Sequence, residues 1–311
     1  MKILLTGVAG FLGSHLAKKL LENDFIVYGL DNFSTGALAN LDFRNHPNFT
    51  LINQDVRVPC SLRTDAILNF ACPASPKYYQ IDPVKTIETN FLGVSNLLKL
   101  ARKTDAILLQ ASTSEVYGDP LVNPQRESYW GNVNPIGIRS CYDEGKRSAE
   151  TLCFDYKRQF NVDSRVIRIF NTYGPKMSID DGRVVSNFIV QALRNEPLTI
   201  YGDGSQTRSF CFVSDLVEGI FKVLTLNTKL EGPLNLGNPN QLSMLELAQK
   251  IIEVTNSKSK FIYKALPEDD PKIRQPDITK AKEILNWSPK INIDKGIRLT
   301  TEYFIRHLKN A

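Results

Sequence analysis

The sequence predicts an α/β fold in which a parallel sheet is doubly wound by helices on both of its faces. Two observations predict it: short apolar runs alternate with longer helical patterns in the first half of the chain, and a glycine-rich run follows the first apolar run. The length of 311 residues allows one large domain or two unequal ones, and 42% hydrophobic with 23% charged residues is typical of a globular protein.

Short apolar runs bounded by turn residues predict buried parallel strands, because they are too short for helices. They occupy residues 3–5, 25–30, 50–53, 66–70, 107–110 and 164–169. Apolar residues recur at helical spacing over 11–22, 83–102 and 139–160. Since parallel strands need crossover connections, this order predicts one sheet with a functional site at the carboxyl ends of its strands.

The pattern changes after residue 170, where helices predicted at 183–194, 245–255 and 294–308 are separated by Pro and Gly. Residues 215–224 and 234–236 are a possible helix and strand returning to the first sheet. We therefore expect a cofactor-binding domain at 1–171 plus about 212–238, and a smaller substrate domain at 172–211 plus 239–311.

Composition argues against several classes of protein. The net charge of +5 arises from 38 basic and 33 acidic residues without a basic block, which disfavours nucleic-acid binding. Five cysteines without a Cys-x-x-Cys pair, and three scattered histidines, predict neither a disulfide framework nor a metal site. Without a signal peptide or an apolar run of about 18 residues, we expect a cytoplasmic protein with no membrane span.

The glycine-rich run places Gly7, Gly10 and Gly13 between the first strand and a helix. Glycines there let backbone N–H groups and the positive end of the helix approach a pyrophosphate. Asp31 ends the second strand 18 residues after Gly13, where a carboxylate would bind the adenosine ribose, although it could instead cap the next helix. A carboxylate repels the 2′-phosphate of NADP, and residues 32–35 contain no Arg, so NAD is the predicted cofactor.

Other residues are assigned to the cofactor by their positions, such as those after the third and fourth strands. Cys72 is interpreted as an apolar lining residue and not a nucleophile, since no histidine lies near it in the sequence. The further predicted cofactor-binding residues are Phe11, Leu12, Asn32, Phe33, Thr35, Gly36, Asp55, Val56, Phe70, Ala71, Cys72, Ala74, Thr89, Ala111, Tyr142, Lys146, Thr172 and Arg183.

Tyr142 and Lys146 lie four residues apart in a predicted helix, which places both on one face. A nearby ammonium stabilises a phenolate and lowers the pKa of a tyrosine from about 10, so that the phenol can accept an alcohol proton. Such a pair also arises by chance. The stronger signal is that Thr113, Ser114 and Glu115 directly follow the fifth strand, at the functional edge of the sheet.

These segments resemble the extended short-chain dehydrogenases, which have a Rossmann fold. The string at 134–147, NPIGIRSCYDEGKR, is similar to UDP-glucuronic acid decarboxylases in particular. The resemblance extends from the glycine run to about residue 289. Further similar segments are NTYGP at 171–175, DGRVVSNF at 181–188, YGDGSQTR at 201–208 and DPKIRQPD at 270–277.

The resemblance implies that NAD removes a hydride from C4 of UDP-glucuronic acid while Tyr142, supported by Lys146 and Thr113, takes the hydroxyl proton. The resulting β-keto acid loses its C6 carboxylate as carbon dioxide, C5 is protonated, and the hydride returns to give UDP-xylose. NAD is thus regenerated in each turnover. Glu115 and Arg274 are implied near the carboxylate and C5, with Ser114 hydrogen-bonding close by.

The resemblance also implies the substrate site and the assembly. Relatives form homodimers through helices that correspond to 83–102 and 139–160, whose apolar rows permit this packing. The predicted substrate-binding residues are Asn171, Val184, Asn187, Tyr201, Gln206, Arg208 and Arg274.

Alternative functions remain at this point. Sister 4,6-dehydratases have Thr-Asp-Glu where this chain has Thr113-Ser114-Glu115, and a serine is a poor acid for protonating a departing hydroxyl, so dehydration of a nucleotide hexose is the second hypothesis. A 4-epimerase is the third, because epimerases lack the Arg274 segment. A catalytically silent NAD-binding scaffold is the hypothesis of another class, and the intact Tyr142 and Lys146 argue against it.

Overall fold

The computed structural model describes residues 1–267, 269, 271 and 273–308. The strands are β1 (Lys2–Thr6), β2 (Ile26–Asp31), β3 (Phe49–Asn53), β4 (Ala66–Asn69), β5 (Ile107–Thr113), β6 (Ser164–Ile169), β7 (Thr172–Tyr173), β8 (Leu198–Tyr201), β9 (Thr207–Ser209), β10 (Cys211–Phe212), β11 (Leu234–Leu236), β12 (Gln241–Ser243), β13 (Phe261–Lys264) and β14 (Ile273–Arg274).

The helices are α1 (Phe11–Leu21), α2 (Pro76–Tyr79), α3 (Pro83–Glu88), α4 (Val94–Thr104), α5 (Ser140–Phe160), α6 (Val184–Leu193), α7 (Val213–Leu224), α8 (Met244–Thr255), α9 (Thr279–Leu285) and α10 (Ile293–Leu308). Short 3₁₀ turns lie at Leu38–Asn40 and Ser114–Tyr117, and a π-helical segment lies at Thr89–Gly93. None of the helices that the structure describes combines the length and apolar character needed to span a bilayer.

Seven parallel strands of the described chain form the main sheet, in the order β11-β6-β5-β4-β1-β2-β3. The chain runs outward from β1 to β3, then returns to β4 and continues outward to β11. The direction of winding therefore reverses between β1 and β4, and a crevice forms beyond the carboxyl ends of these two strands. This topology confirms the doubly wound parallel sheet.

Alternate residues of the central strands enter different cores, because successive side chains of a strand point to opposite faces. Ile3 and Leu5 pack with Leu16 of α1 and Ile220 of α7 on one face. Leu4 and Ile67 pack with Leu97 of α4 and Ala149 of α5 on the other face. Two helical layers thus cover the sheet, and its strands are apolar on both faces as the sequence predicts.

The predicted strands and helices of the first half are present, and the returning helix and strand are confirmed as α7 and β11, which pairs with β6. The helix predicted over 83–102 differs, since the π-helical segment separates α3 from α4. In this stretch the Thr89 hydroxyl donates to the Lys85 carbonyl and the Asn90 amide donates to the Thr86 carbonyl. These side-chain donors compete with main-chain N–H groups for the carbonyls, at the point where the helical hydrogen-bond pattern widens to that of a π-helix.

The second half contains short strands that the sequence did not predict. β8 pairs with β13, and β9 pairs with both β12 and β14. Strands of two to four residues carry little periodicity, and each of these pairs joins segments that are distant in the sequence. The pairing is therefore a tertiary feature.

A buried ion pair behind β5 connects α5 to β6. Arg168 donates from Nε and Nη2 to the two carboxylate oxygens of Glu150, at 2.9 and 2.7 Å. The Ser112 hydroxyl donates to the same carboxylate at 2.6 Å, and Arg168 also donates to the phenol oxygen of Tyr117 at 2.9 Å. This network fixes the end of β5 against the helix that carries Tyr142.

We predict that Arg168→Ala lowers the free energy of unfolding by about 3–5 kcal/mol, because it leaves the Glu150 carboxylate buried without its counter-ion. Urea denaturation measures this change. Arg158→Ala is the matched control: Arg158 pairs with Asp155 on the same helix, but these side chains are 69% and 52% exposed. It should cost no more than about 0.5 kcal/mol. Equal losses in the two variants would contradict the prediction.

Candidate active site

A cavity of about 1020 Å³ opens at the crevice between β1 and β4. Its wall contains parts of the glycine loop, of the ends of β4 and β5, and of α5 and α6. A smaller cavity of about 70 Å³ adjoins it. The two cavities share Gly7, Gly10, Thr35, Phe70 and Cys72 in their walls, so they form one continuous site.

The glycine loop brings the first turn of α1 against the large cavity. Gly7 has a φ of +70°, which favours glycine, and its N–H donates to the Leu30 carbonyl at 2.8 Å. A Cβ atom built on Gly13 would lie 2.0 Å from the Gly7 carbonyl oxygen. Gly10, Phe11, Leu12 and Gly13 all line the cavity, which places the positive end of the helix where it can bind an anion.

Asp31 lies at the end of β2 in the wall of the small cavity. One carboxylate oxygen accepts the Ala9 N–H and the other accepts the Phe33 N–H, each at 2.8 Å. Each oxygen keeps a further lone pair for a hydroxyl ligand. Burial raises the pKa of Asp31, and the backbone hydrogen bonds act in the opposite direction. The next helical turn begins only at Leu38, so capping does not explain this carboxylate.

Tyr142, Lys146 and Thr113 meet in the wall of the large cavity, where α5 passes the end of β5. The Thr113 hydroxyl lies close enough to the Tyr142 phenol to act on its pKa. The Lys146 ammonium donates to the Ala111 carbonyl at 2.9 Å and lies 5.7 Å from the centre of the Tyr142 ring. The structure thus brings the predicted hydroxyl, phenol and ammonium groups together.

The pKa of Tyr142 differs from the value that the sequence leads us to expect. Burial raises the pKa of Tyr142 well above its ordinary value, and the Thr113 hydroxyl acts in the opposite direction. Burial lowers the pKa of Lys146, although Cys72 and Glu150 oppose that shift. The expected lowering of the Tyr142 pKa is not seen, because desolvation of the phenol raises it and Cys72, Glu115 and Tyr79 act in the same direction.

Glu115 forms the centre of a cluster of arginines that we call the Glu115 cluster: Glu115, Arg139, Arg208 and Arg274. One carboxylate oxygen accepts from Arg139 Nη2 at 2.7 Å and from Arg274 Nη2 at 3.3 Å. Pairing of β9 with β14 places Arg208 directly opposite Arg274. Burial favours the neutral acid, but the three arginines lower the pKa of Glu115 to about 2, so its carboxylate is anionic at neutral pH.

Three predicted site residues lie outside both cavity walls. Arg274 is 1% exposed, and its Nη1 donates to the Ser114 carbonyl at 2.8 Å behind Glu115. Ser114 is buried, and its hydroxyl has no hydrogen-bond partner among the described residues. Phe33 contributes its N–H to Asp31 and lines neither cavity. These residues can act on a ligand only through their neighbours in this structure.

The remaining predicted residues line one or both cavities. Arg183 lies over the ring of Phe11, at 5.6 Å from its centre, and donates to both oxygens of Asp181. Predicted cofactor residues in the walls also include Asn32, Gly36, Asp55, Val56, Ala71, Ala74, Thr89, Ala111 and Thr172. Predicted substrate residues in the wall of the large cavity are Asn171, Val184, Asn187, Tyr201, Gln206 and Arg208.

Sequence reasoning missed two cavity residues beside Tyr142. Tyr79 stacks on the Tyr142 ring, with centroids 5.0 Å apart and planes within 5°. It lies on the four-residue helix α2, which has no recognisable pattern. Arg139 lies in the segment that carries the family resemblance, one turn before Tyr142, and its position could have suggested a site residue. Of the similar segment at 270–277, Asp270 and Lys272 lie outside the described residues.

Comparisons with known sequences find relatives that match nearly the whole chain. The family model described as GDP-mannose 4,6 dehydratase matches residues 4–300. UDP-glucuronic acid decarboxylase 4 of Arabidopsis thaliana is 55% identical over 305 residues, which are 98% of this chain and 68% of that protein. UDP-glucuronic acid decarboxylase 1 of Danio rerio is 51% identical over 310 residues, 99% of this chain and 74% of that protein.

Solved structures show the same fold over almost the whole chain. UDP-glucose 4-epimerase of Thermotoga maritima, determined with UDP-glucose, has a TM-score of 0.91 at 29% identity and covers 99% of this chain and 100% of its own. UDP-glucuronic acid 4-epimerase of Bacillus cereus, in complex with UDP-glucuronic acid and NAD, has a TM-score of 0.89 at 28% identity, with the same coverage of 99% and 100%.

Three findings lead to one assignment. They are the parallel sheet with its glycine loop, the pair of Tyr142 and Lys146, and sequence identity above one half to decarboxylases over nearly the full chain. The chain belongs to the UDP-glucuronic acid decarboxylase family, within the extended short-chain dehydrogenases.

Proposed function

We propose that this protein is an NAD-dependent enzyme that decarboxylates UDP-glucuronic acid to UDP-xylose. The observation that carries the proposal is the Glu115 cluster beside Tyr142. Arg139, Arg208 and Glu115 line the same cavity as the Tyr142 phenol. A planar guanidinium matches the geometry of carboxylate and phosphate groups, so arginines beside an acid-base tyrosine suit a nucleotide sugar that bears a carboxylate.

The residues at the glycine loop and the small cavity fit NAD. The N-terminal turn of α1 supplies N–H groups for the pyrophosphate, and Asp31 has lone pairs for the hydroxyls of the adenosine ribose. A methyl group at Gly13 would fill the space in which the loop and helix meet. When bound, NAD supplies the acceptor and donor of the hydride at C4 of the sugar.

Tyr142 is proposed to take the proton of the C4 hydroxyl and to return it at the end of the cycle. Thr113 lies beside the phenol in the cavity wall and orients it. Lys146 is held by the Ala111 carbonyl and provides a positive charge beside the ring, which favours the phenolate form. The stacked ring of Tyr79 covers Tyr142 and excludes water from its face.

The C5–C6 bond breaks after C4 has become a carbonyl, because the electron pair left at C5 delocalises into that carbonyl as carbon dioxide leaves. C5 then takes a proton from solvent. Glu115 is anionic at neutral pH and so cannot donate that proton from its resting state. We therefore assign Glu115 the task of positioning Arg139 towards the sugar, with Arg274 and Ser114 supporting it from behind.

The nucleotide diphosphate is proposed to bind along the far side of the cavity. The residues proposed to hold it are Asn171, Val184, Asn187, Tyr201, Gln206 and Arg208. A homodimer is proposed through α3, the π-helical segment, α4 and α5, because Val84, Ile87 and Phe91 are 65%, 40% and 45% exposed. The domain division at 1–171 plus about 212–238, and the cytoplasmic location, stay predictions.

The first test is incubation of the purified protein with UDP-glucuronic acid and catalytic NAD, with nucleotide sugars resolved by mass spectrometry. We expect stoichiometric UDP-xylose and carbon dioxide without net NADH. Tyr142→Phe keeps the ring that stacks on Tyr79 but removes the phenol, and should reduce turnover by about 10²-fold or more. Loss of water from dTDP-glucose, with no decarboxylation of UDP-glucuronic acid, would make the protein a dehydratase and overturn the proposal.

We predict that Gly13→Ala weakens NAD binding by at least about tenfold, because its methyl group would force the Gly7 carbonyl away from the loop geometry that binds the pyrophosphate. Fluorescence or calorimetric titration measures the dissociation constant. Gly232→Ala is the control, since a Cβ there meets only the end of the Lys280 side chain, at 3.2 Å. Unchanged NAD affinity in Gly13→Ala would show that the glycine loop is not the pyrophosphate site.

A further inference from the structure

A series of buried polar side chains crosses the carboxyl ends of the three central strands, and the mechanism above does not use it. It consists of Thr6 in β1, Asn69 in β4 and Gln110 in β5, which are 0%, 3% and 1% exposed. The sheet register places Thr6 opposite Asn69, and Asn69 opposite Gln110. We call these three residues the Thr6–Gln110 network. Polar groups at such positions are costly to bury unless they are hydrogen-bonded.

Backbone groups set the direction of the hydrogen bonds in this network. The Thr6 hydroxyl oxygen accepts two main-chain N–H groups that follow β4, at 3.2 and 3.3 Å. Its own hydrogen therefore donates to Asn69 Oδ1, at 2.6 Å. Asn69 then presents Nδ2 to Gln110 Oε1 at 2.8 Å, and Gln110 presents Nε2 to the Ala111 carbonyl at 2.9 Å. Every side-chain donor of the network thus points towards that carbonyl.

The Ala111 carbonyl is the point at which the network meets the proposed acid-base pair. The paired register of β4 and β5 ends at Gln110, one residue before Ala111. The Ala111 oxygen accepts Gln110 Nε2 and the Lys146 ammonium, each at 2.9 Å. A carbonyl oxygen has two lone pairs, and these two donors occupy both of them. The Gln110 amide therefore restricts the direction from which the ammonium approaches.

We propose that Gln110 is a positioning residue of the reaction, whose amide occupies one lone pair of the Ala111 carbonyl and so directs Lys146 towards Tyr142. Asn69 and Thr6 hold that amide in place. The network acts through Lys146, since none of its three side chains lines either cavity. The proposal rests on the proposed function, because it adds a residue to the acid-base machinery described there.

Loss of the Gln110 amide has an electrostatic consequence at the base. The freed lone pair lets the Lys146 ammonium move around the carbonyl, away from the Tyr142 ring whose centre lies 5.7 Å from it. The positive charge then stabilises the phenolate less, so the pKa of Tyr142 rises. A base with a higher pKa is protonated up to a higher pH. The acidic limb of the rate profile, where activity falls as the base gains a proton, therefore moves to higher pH.

The titratable groups around the acid-base pair do not belong to the network. Gln110, Asn69 and Thr6 are uncharged, so their replacement removes no charge from the site. A shift of the acidic limb therefore reports the position of Lys146 and not the loss of an ion pair. The groups that act on Tyr142 or Lys146 are Cys72 after β4, Tyr79 in α2, Glu115 in the 3₁₀ turn, Glu150 in α5 and Arg183 before α6.

The experiment is the pH dependence of kcat for conversion of UDP-glucuronic acid to UDP-xylose at saturating NAD, in the wild-type protein and in Gln110→Met. Methionine is unbranched like glutamine and has no amide. We expect the acidic limb to lie about 0.5–1 pH unit higher in Gln110→Met, and kcat at pH 7 to fall about three- to tenfold. KM and the dissociation constant of NAD should stay within about twofold, because the Gln110 side chain lines neither cavity.

Three further variants separate positioning from stability. Thr6→Val removes the hydroxyl at the far end of the network and should move the acidic limb in the same direction. Thr6→Ser keeps the hydroxyl and should keep the wild-type limb. Thr300→Val is the stability control, since Thr300 is 0% exposed in α10 and donates to the Gly296 carbonyl at 2.7 Å. It should lower the melting temperature without moving the limb.

The outcomes separate this inference from the proposed function. An unmoved acidic limb in Gln110→Met overturns the role of Gln110 and leaves the decarboxylase unaffected. If that variant fails to fold, an unmoved limb in Thr6→Val does the same. A limb that moves equally in Thr300→Val also overturns the role, because the shift would then follow from lost stability. Absence of UDP-xylose from the wild-type reaction overturns the proposed function and this inference with it.

Discussion

The buried carboxylate of Glu115 is the constraint on which the arrangement of the site depends. It binds Arg139 from the start of α5 and Arg274 from β14, and so connects the end of β5 to a segment about half the chain away. Arg208 and Arg274 face each other across β9 and β14, where like charges would destabilise the pairing. The Glu115 carboxylate offsets this repulsion, because it is a hydrogen-bond acceptor of Arg274 and its negative charge also interacts with the positive charge of Arg208. Its hydrogen bond with Arg139 fixes the cavity wall next to Tyr142.

Burial shifts the pKa values of the two acid-base groups at this edge of the sheet in opposite directions. Desolvation favours the neutral forms of both Tyr142 and Lys146. The reaction, in contrast, needs Tyr142 as a base and Lys146 as a cation. Glu150 opposes the shift at Lys146, and it is itself held by Arg168 and Ser112. The ion pair behind β5 thus contributes to the charge of the site as well as to the stability of the fold.

Two carboxyl groups near the same arginines, Glu115 and Asp143, have pKa values shifted in opposite directions because their contacts differ. Glu115 accepts two guanidinium hydrogen bonds, whereas Asp143 has a buried oxygen without a donor among the described residues. A pair of acids driven apart in this way is a recurrent feature of active sites.

The sequence by itself determined the parts of the protein that arise from local spacing. Apolar periodicity predicted the strands of the main sheet, the glycine run with Asp31 predicted the cofactor end, and Tyr142 with Lys146 predicted the acid-base pair. Tertiary structure decided what depends on distant segments: the short strands of the second half, the stacking of Tyr79, and the withdrawal of Ser114 and Arg274 from the cavity wall. Arg274 contacts Ser114 across 160 residues of chain, and no local pattern specifies such a contact. The spacing of residue types along the chain is a local property, whereas desolvation and ion pairing depend on how the whole chain packs.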